Sequence, residues 1–170
     1  MSHNKSTTIL GIDPGYGIVG FGVITINDSH QMKHVTHGVI TTPSKSEFIS
    51  RIHIISQDLI DIIKKYKPDA VGIEKIFFAK NTKTAIDVAQ ARGAILATIA
   101  AHNVPIFELT PLQVKQGIVG YGKADKIQVQ KMTQYLMGLT KIPKPDDAAD
   151  ALAIAVAVST QVLTRRLKGV

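Results

Sequence analysis

Apolar and polar positions change period along the chain, and each change marks an element. Ile9-Leu10-Gly11-Ile12-Asp13 is a short apolar run that ends in an acid. Pro14 follows at once; it fixes its own φ, lacks an N–H and pushes the preceding residue toward extended backbone. The run therefore predicts a buried strand with Asp13 at its end. The β-rich run from Phe21 to Ile26 predicts a second strand, and Met32 to Thr41 a third, with Asn27-Asp28-Ser29-His30 as the turn between them. Three strands with short links suggest an antiparallel meander. Gly15-Tyr16-Gly17-Ile18-Val19-Gly20 matches G-x-G-x-x-G. That fingerprint requires a helix to open at its glycines. A strand-like run follows instead, so a dinucleotide site is rejected and the glycines are read as a tight turn near Asp13.

Thr42-Pro43-Ser44 breaks the strand pattern, and Ser46 is a plausible N-cap for a helix reaching about Tyr66. Phe48, Ile52, Ile55, Leu59, Ile62, Ile63 and Tyr66 fall on one stripe at helical spacing. His53, Asp58, Asp61 and Lys65 lie off it and are read as solvated. Pro68 ends the helix. Ala70-Val71-Gly72-Ile73-Glu74 then repeats the first strand, an apolar run closed by a carboxylate. The intervening helix supplies the crossover that a parallel neighbour of the first strand needs. Asp13 and Glu74 would then emerge at one sheet edge.

Asn81 or Thr82 caps an Ala-rich helix to about His102, whose small residues Ala91, Gly93, Ala94 and Ala97 permit close packing. Residues 105–109 form a further strand, with Glu108 in its middle rather than at its end. Thr110-Pro111 is a cap with proline at the first helical position; that helix carries Gln113 and Lys115. Gly120-Tyr121-Gly122-Lys123 is a basic loop, residues 125–137 a short helix bearing Lys126 and Lys131, and residues 141–145 a Pro/Lys linker. Asp146 or Asp147 opens the last helix. Asp147 and Asp150, at i and i+3, share a face. Capping and the helix dipole account well for an acid at 146 or 147. They account less well for Asp150, one turn into an apolar helix.

Each acid has a plainer explanation. Asp13 could cap N–H groups of its own turn, and Glu74 could pair with Lys75 or Lys80. Phe77 and Phe78 could both be buried. Alternatively, one of them, exposed beside Lys80, could stack on an unpaired base. Charge shifts the balance. The 170 residues carry a formal net charge of +7, which suggests a polyanionic partner, nucleic acid first. A basic protein that keeps acids in apolar settings separates two tasks.

Composition excludes other classes. The chain has no cysteine, so a thiolate zinc site and a Cys nucleophile are ruled out. The polar first residues lack the apolar core of a signal peptide, and the apolar stretch 148–158 is too short to span a bilayer. A chain of this length buries about 70% of its unfolded surface without disulfides or structural metal. The expectation is a leader over 1–8, one domain over 9–164 and a basic tail over 165–170. No membrane is involved, and the location is the cytoplasm.

The motifs in order are Gly11-Ile12-Asp13-Pro14-Gly15, then Ile73-Glu74 with Phe77-x-Ala79-Lys80-Asn81, then Gln90-Ala91-Arg92-Gly93. Gln113-Val114-Lys115-Gln116 and Asp147-Ala148-Ala149-Asp150-Ala151-Leu152-Ala153 complete them. Together they resemble the ribonuclease H-like nucleases, and within them the RuvC family of Holliday-junction endonucleases, over about residues 9–154. The resemblance implies an α/β ribonuclease H-like fold, a mixed five-stranded sheet with helices on both faces. It implies that Asp13, Glu74, Asp147 and Asp150 are catalytic and metal-binding. Lys115 and Lys126 would lie near the scissile phosphate, and Phe77, with Lys80 beside it, would contact DNA at the junction centre. It further implies two Mg²⁺ ions per site, replaceable by Mn²⁺, a homodimer, and a branch-migration partner of the RuvA/RuvB type.

The chemistry agrees with that assignment. Phosphodiester hydrolysis must activate a water and stabilise a leaving alkoxide, and two divalent ions about 3.5–4 Å apart do both. Hard cations take carboxylates and water rather than Cys or His clusters. The expectation is that Asp13 bridges the ions while Glu74 and Asp147 or Asp150 complete their shells. A related nuclease acting on structured RNA is the alternative. An actin-like ATPase needs a second domain for which the chain has no room. A non-catalytic DNA-binding module has no reason to hold acids at element ends.

Overall fold

The computed structural model describes residues 6–75 and 82–167. Five strands and five helices follow in the order β1 (Thr7–Asp13), β2 (Ile18–Ile26), β3 (Met32–Thr41), α1 (Phe48–Tyr66), β4 (Ala70–Glu74), α2 (Thr82–Ala101), β5 (Ile106–Leu109), α3 (Pro111–Val119), α4 (Lys126–Leu136) and α5 (Asp146–Leu167). The strands form one sheet in the order β3-β2-β1-β4-β5. β1, β2 and β3 pair antiparallel, as the expected meander. β4 lies parallel to β1, and β5 parallel to β4. The sheet is therefore mixed. β2 begins at Ile18, so the glycine-rich stretch leads into a strand and opens no helix.

β2 also starts three residues before the expected Phe21, so Ile18, Val19 and Gly20 of the expected turn are strand, with Gly20 paired to Asp13. Three other boundaries differ from the sequence expectation. β1 starts at Thr7, inside the expected leader, because pairing with the long β2 carries the strand beyond its apolar run; Thr7 opposes Ile26 and is buried. The N-cap of α1 is Glu47, without a side-chain cap bond, while the Ser46 N–H is used by the Pro43 carbonyl. α5 continues to Leu167, through the start of the expected tail. Over 146–165 this helix is long and apolar enough to cross a membrane, but 72% of that window is buried inside the fold.

Helices cover both faces of the sheet. On one face Leu10, Ile12, Val23, Val71 and Ile73 pack against Ile55, Leu59 and Ile63 of α1 and Ile95 and Ile99 of α2. On the other, Ile9, Ile24 and Ala70 pack against α5, with α3 and α4 beside it. Successive side chains of a strand alternate between faces. Ile12 and Ile73 face α1 and α2, so Asp13 and Glu74, one residue on, project to the α5 side.

α5 lies unusually low on that side. Gly11 pairs with Gly22 on β2 and with Gly72 on β4, which makes a row of three glycines across three strands. A Cβ at Gly11 would lie 2.1 Å from the Ala151 carbonyl oxygen and 2.6 Å from the Ala155 nitrogen. At Gly22 it would lie 2.6 Å from the Leu152 Cα. Helix backbone rests directly on sheet backbone here, and only glycine leaves the room.

Candidate active site

The close seat of α5 brings four acids together. In the parallel register Ile12 sits beside Ile73, so Asp13 and Glu74 leave adjacent strands at the same level. Asp13 opposes Gly20 on its other neighbour. A Cβ on Gly20 would lie 1.9 Å from the Asp147 carbonyl oxygen, so the first turn of α5 passes over that position. Asp150 follows one turn later.

Asp13 and Glu74 feel the charges of their acidic neighbours. The Asp13 carboxyl is pushed up to about 8, chiefly by burial, then by the charges of Glu74, Asp150 and Asp147, with Lys126 opposing. Burial and the Asp150 charge also raise Glu74, again against Lys126. Among the described residues, the carboxylates of Asp13, Glu74 and Asp147 have no hydrogen bond or ion pair. A desolvated carboxylate without a partner is costly, and a cation relieves that cost. Asp13 is therefore no turn cap, and Glu74 forms no ion pair with Lys75; Lys80 lies outside the described residues.

The neighbouring acid behaves differently. Asp146 is exposed and pairs with Lys144 at 3.2 Å and with Lys126 at 3.4 Å. Its pKa is lowered, first by the Lys144 hydrogen bond and then by Lys126. Asp147, not Asp146, adds its charge to Asp13. That agrees with the i, i+3 spacing to Asp150.

Both expected lysines reach the site. A cleft of about 200 Å³ is lined by Glu74, Lys115, Lys126 and Asp150, with Val114 and Ile154 behind them. Asp13 and Asp147 are not in its wall. α3, which carries Lys115, starts with a reciprocal cap: Gln113 N–H donates to Thr110 Oγ1, and Thr110 N–H to Gln113 Oε1. α4 starts with the same device, built from Asp125 and Gln128, which puts Lys126 in its first turn. The Lys126 ammonium donates to Asp150 Oδ2 at 3.0 Å. Its pKa is raised, first by that hydrogen bond. Phe77 and Lys80 lie outside the described residues.

Two arginines hold this end of the sheet, and sequence reasoning gave neither a role. Arg92 of α2 donates from Nε to the Glu74 carbonyl at 3.1 Å and forms an ion pair with Glu108. It thus clamps the end of β4 from the far face, and Glu108 is its anchor. Arg51 of α1 is buried; its Nε donates to Thr42 Oγ1 at 2.8 Å and its Nη2 to the Tyr16 carbonyl at 3.3 Å. Its guanidinium also lies 3.6 Å from the Tyr16 ring centroid. Arg51 so ties down the loop that follows Asp13. A charged residue on an otherwise apolar helix face was the available signal for both.

The donor set is all carboxylate, which suits a hard divalent cation. The acids do not yet enclose one: among the described residues no three His, Cys, Asp or Glu side chains converge closely enough to hold an ion. An ammonium, that of Lys126, occupies Asp150. The arrangement can bind a phosphate backbone through Lys115 and Lys126 and offer carboxylates beside it.

Comparison with known proteins agrees with this geometry. Residues 9–158 match the family model of crossover junction endodeoxyribonuclease RuvC. A relative of that name from Thermosipho melanesiensis is 51% identical over 155 residues, 90% of this chain and 98% of the relative. Another from Alkaliphilus oremlandii is 53% identical over 148 residues, 87% of this chain and 90% of the relative. The structure of Thermus thermophilus RuvC in complex with Holliday junction substrate superposes with a TM-score of 0.87 at 30% identity, covering 93% of this chain and 96% of that one. The yeast mitochondrial resolvase Ydc2 shares the fold, with a TM-score of 0.68 at 18% identity over 96% of this chain and 82% of its own.

Proposed function

The chain belongs to the RuvC family of crossover junction endodeoxyribonucleases, and from that premise we propose that it resolves four-way DNA junctions by metal-dependent phosphodiester hydrolysis. One observation carries the reading. Two desolvated carboxylates without partners, Asp13 and Glu74, leave adjacent parallel strands beside Asp147 and Asp150, next to Lys115 and Lys126. Buried acids clustered without partners have no structural use; they have one once a cation binds.

Asp13, Glu74, Asp147 and Asp150 would hold two divalent ions, Mg²⁺ by hardness, with Mn²⁺ able to substitute. Bound there, such ions supply an activated water and stabilise the leaving oxygen. The chain's own residues do the rest. Asp13, whose carboxyl burial pushes up to about 8, would be held ionised by a bound cation and so serve as a ligand. Lys115 and Lys126 hold the backbone phosphates that flank the cleft. Arg92 keeps the end of β4, and with it Glu74, in register. Phe77 and Lys80 would meet unpaired bases at the junction centre. A four-way junction has two symmetric cleavage points, and a homodimer with two sites matches that symmetry. A branch-migration partner of the RuvA/RuvB type and a cytoplasmic location complete the proposal.

The test is cleavage of a synthetic four-way junction with and without Mg²⁺, beside linear duplex of the same sequence. Paired symmetric nicks confined to the junction, dependent on metal and lost in Asp13→Asn with junction binding kept, are the expected result. Retained cleavage by Asp13→Asn would refute the assignment. Cleavage of structured RNA in place of the junction would move the activity to a related nuclease.

A further inference from the structure

Asp146 is the acid at the start of α5 that the carboxylate cluster leaves outside. Its two oxygens have separate tasks. Oδ1 accepts from Lys144 Nζ at 3.2 Å and lies 3.5 Å from Gln130 Nε2. Oδ2 lies 3.4 Å from Lys126 Nζ. The same Lys126 ammonium donates to Asp150 Oδ2 at 3.0 Å. One cation is therefore shared between an acid of the cluster and an acid outside it. Lys144 does not compete for it, because it uses the other oxygen.

We propose that Asp146 is a positioning residue that receives the Lys126 ammonium when Asp150 takes up a divalent cation. The inference rests on Asp150 being a metal ligand. Lys126 now sits on Asp150 as a built-in counter-ion, and it has to leave before that oxygen can serve a metal. An ammonium is a compact point charge with three donors on a flexible stem, so it can keep one carboxylate while releasing another. Asp146 offers that second carboxylate within reach. The displaced ammonium then stays at the mouth of the cleft, beside Lys144, where a phosphate arrives. Without Asp146, Lys126 would fall back wholly on Asp150 and compete there with the incoming ion.

The experiment is a Mn²⁺ titration of the full-length protein, followed by the electron paramagnetic resonance of free Mn²⁺. It uses the unmodified protein, D146N, K126Q, the double variant D146N/K126Q, and D150N. Asp146 is exposed, so its substitution leaves the core untouched. D146N is expected to weaken Mn²⁺ binding about two- to fivefold, the range that an exposed ion pair carries. K126Q and D146N/K126Q are expected to bind alike, since Asp146 acts through Lys126. An equal loss from D146N in both backgrounds would show a simple field effect and overturn the proposal. So would a D146N protein that binds Mn²⁺ as the unmodified one does. If D150N leaves Mn²⁺ binding unchanged, the metal-ligand reading itself fails and takes this inference with it. That result is read at Asp150 itself with Asp146 intact, so the two failures are distinct.

Discussion

The two faces of the sheet are built to opposite rules. Under α1 and α2, large side chains meet large side chains: Leu10, Ile12, Val71 and Ile73 against Ile55, Leu59, Ile95 and Ile99. Under α5, Gly11 and Gly22 meet the helix backbone of Ala151, Leu152 and Ala155, and Gly72 meets the side chains of Ile154 and Val158. The first arrangement serves stability through buried area. The second gives up side chains along the glycine row, between the apolar contacts of Ile9 and Ile24, so that a helix can lie low enough for its first turn to reach the sheet edge. All four acids lie on that second side. Side chains at Gly11, Gly20 and Gly22 would lift Asp147 and Asp150 away from Asp13 and Glu74.

Pitting a substitution on one face against one on the other gives the largest expected effect. Gly11→Val places branched carbon against helix backbone that cannot yield. It should cost at least the upper end of the about 1–3 kcal/mol typical of overpacking, with junction cleavage lost as α5 moves. Ile95→Val, a methyl removed from the opposite face, should cost about 0.5–1.5 kcal/mol and leave cleavage in place. Urea denaturation with a parallel cleavage assay decides it; equal costs would dissolve the contrast between the faces.

Next in size is the pH dependence of metal-free stability. Asp13 titrates near 8 in the folded protein against an ordinary 3.8. Between those values the folded state keeps a proton that the unfolded chain has shed, so stability falls as pH rises from about 4 to about 8. Below that window both states are protonated, and above it both are ionised. Glu74 is shifted the same way. Thermal unfolding across this range should show the decline, Asp13→Asn should flatten it, and Mg²⁺ should reduce it. A stability that instead rose with pH would mean that Asp13 is already paired.

A smaller effect is expected where the large-residue face supports the other. Arg92→Gln removes the ion pair with Glu108 and loosens the end of β4. The Mg²⁺ concentration for half-maximal cleavage should rise about tenfold, as for residues that orient metal ligands. An unchanged Mg²⁺ requirement would confine Arg92 to folding. Smallest is Lys115→Ala at the cleft. Junction binding should weaken, and the slope of log affinity against log salt should fall by about 1. An unaltered slope would remove Lys115 from the phosphate contacts.

Much of this was legible locally. An apolar run closed by an acid, twice, marked Asp13 and Glu74 as strand ends, because proline and alternation act within a few residues. The cap at Thr110-Pro111 was legible for the same reason. The glycine row was not: a glycine inside a strand reads as a weakness until the backbone that approaches it is known. Nor were the roles of Arg51 and Arg92, whose partners are carbonyls 35 and 18 residues away. Thr7 joined β1 only because β2 was long enough to pair with it.

The sequence by itself determined which acids exist, that two of them end strands, and that two more share one helix face. Tertiary structure decided how those pairs meet, and put the charge of Asp147, the aspartate its spacing to Asp150 favours, rather than that of Asp146 on Asp13. Neighbouring residues on a helix point about 100° apart, so the rotation of α5 on its glycine seat selects between them. That rotation is set by Gly11, Gly20 and Gly22, more than a hundred residues earlier in the chain. It turns Asp147 toward Asp13 and leaves Asp146 to the lysines.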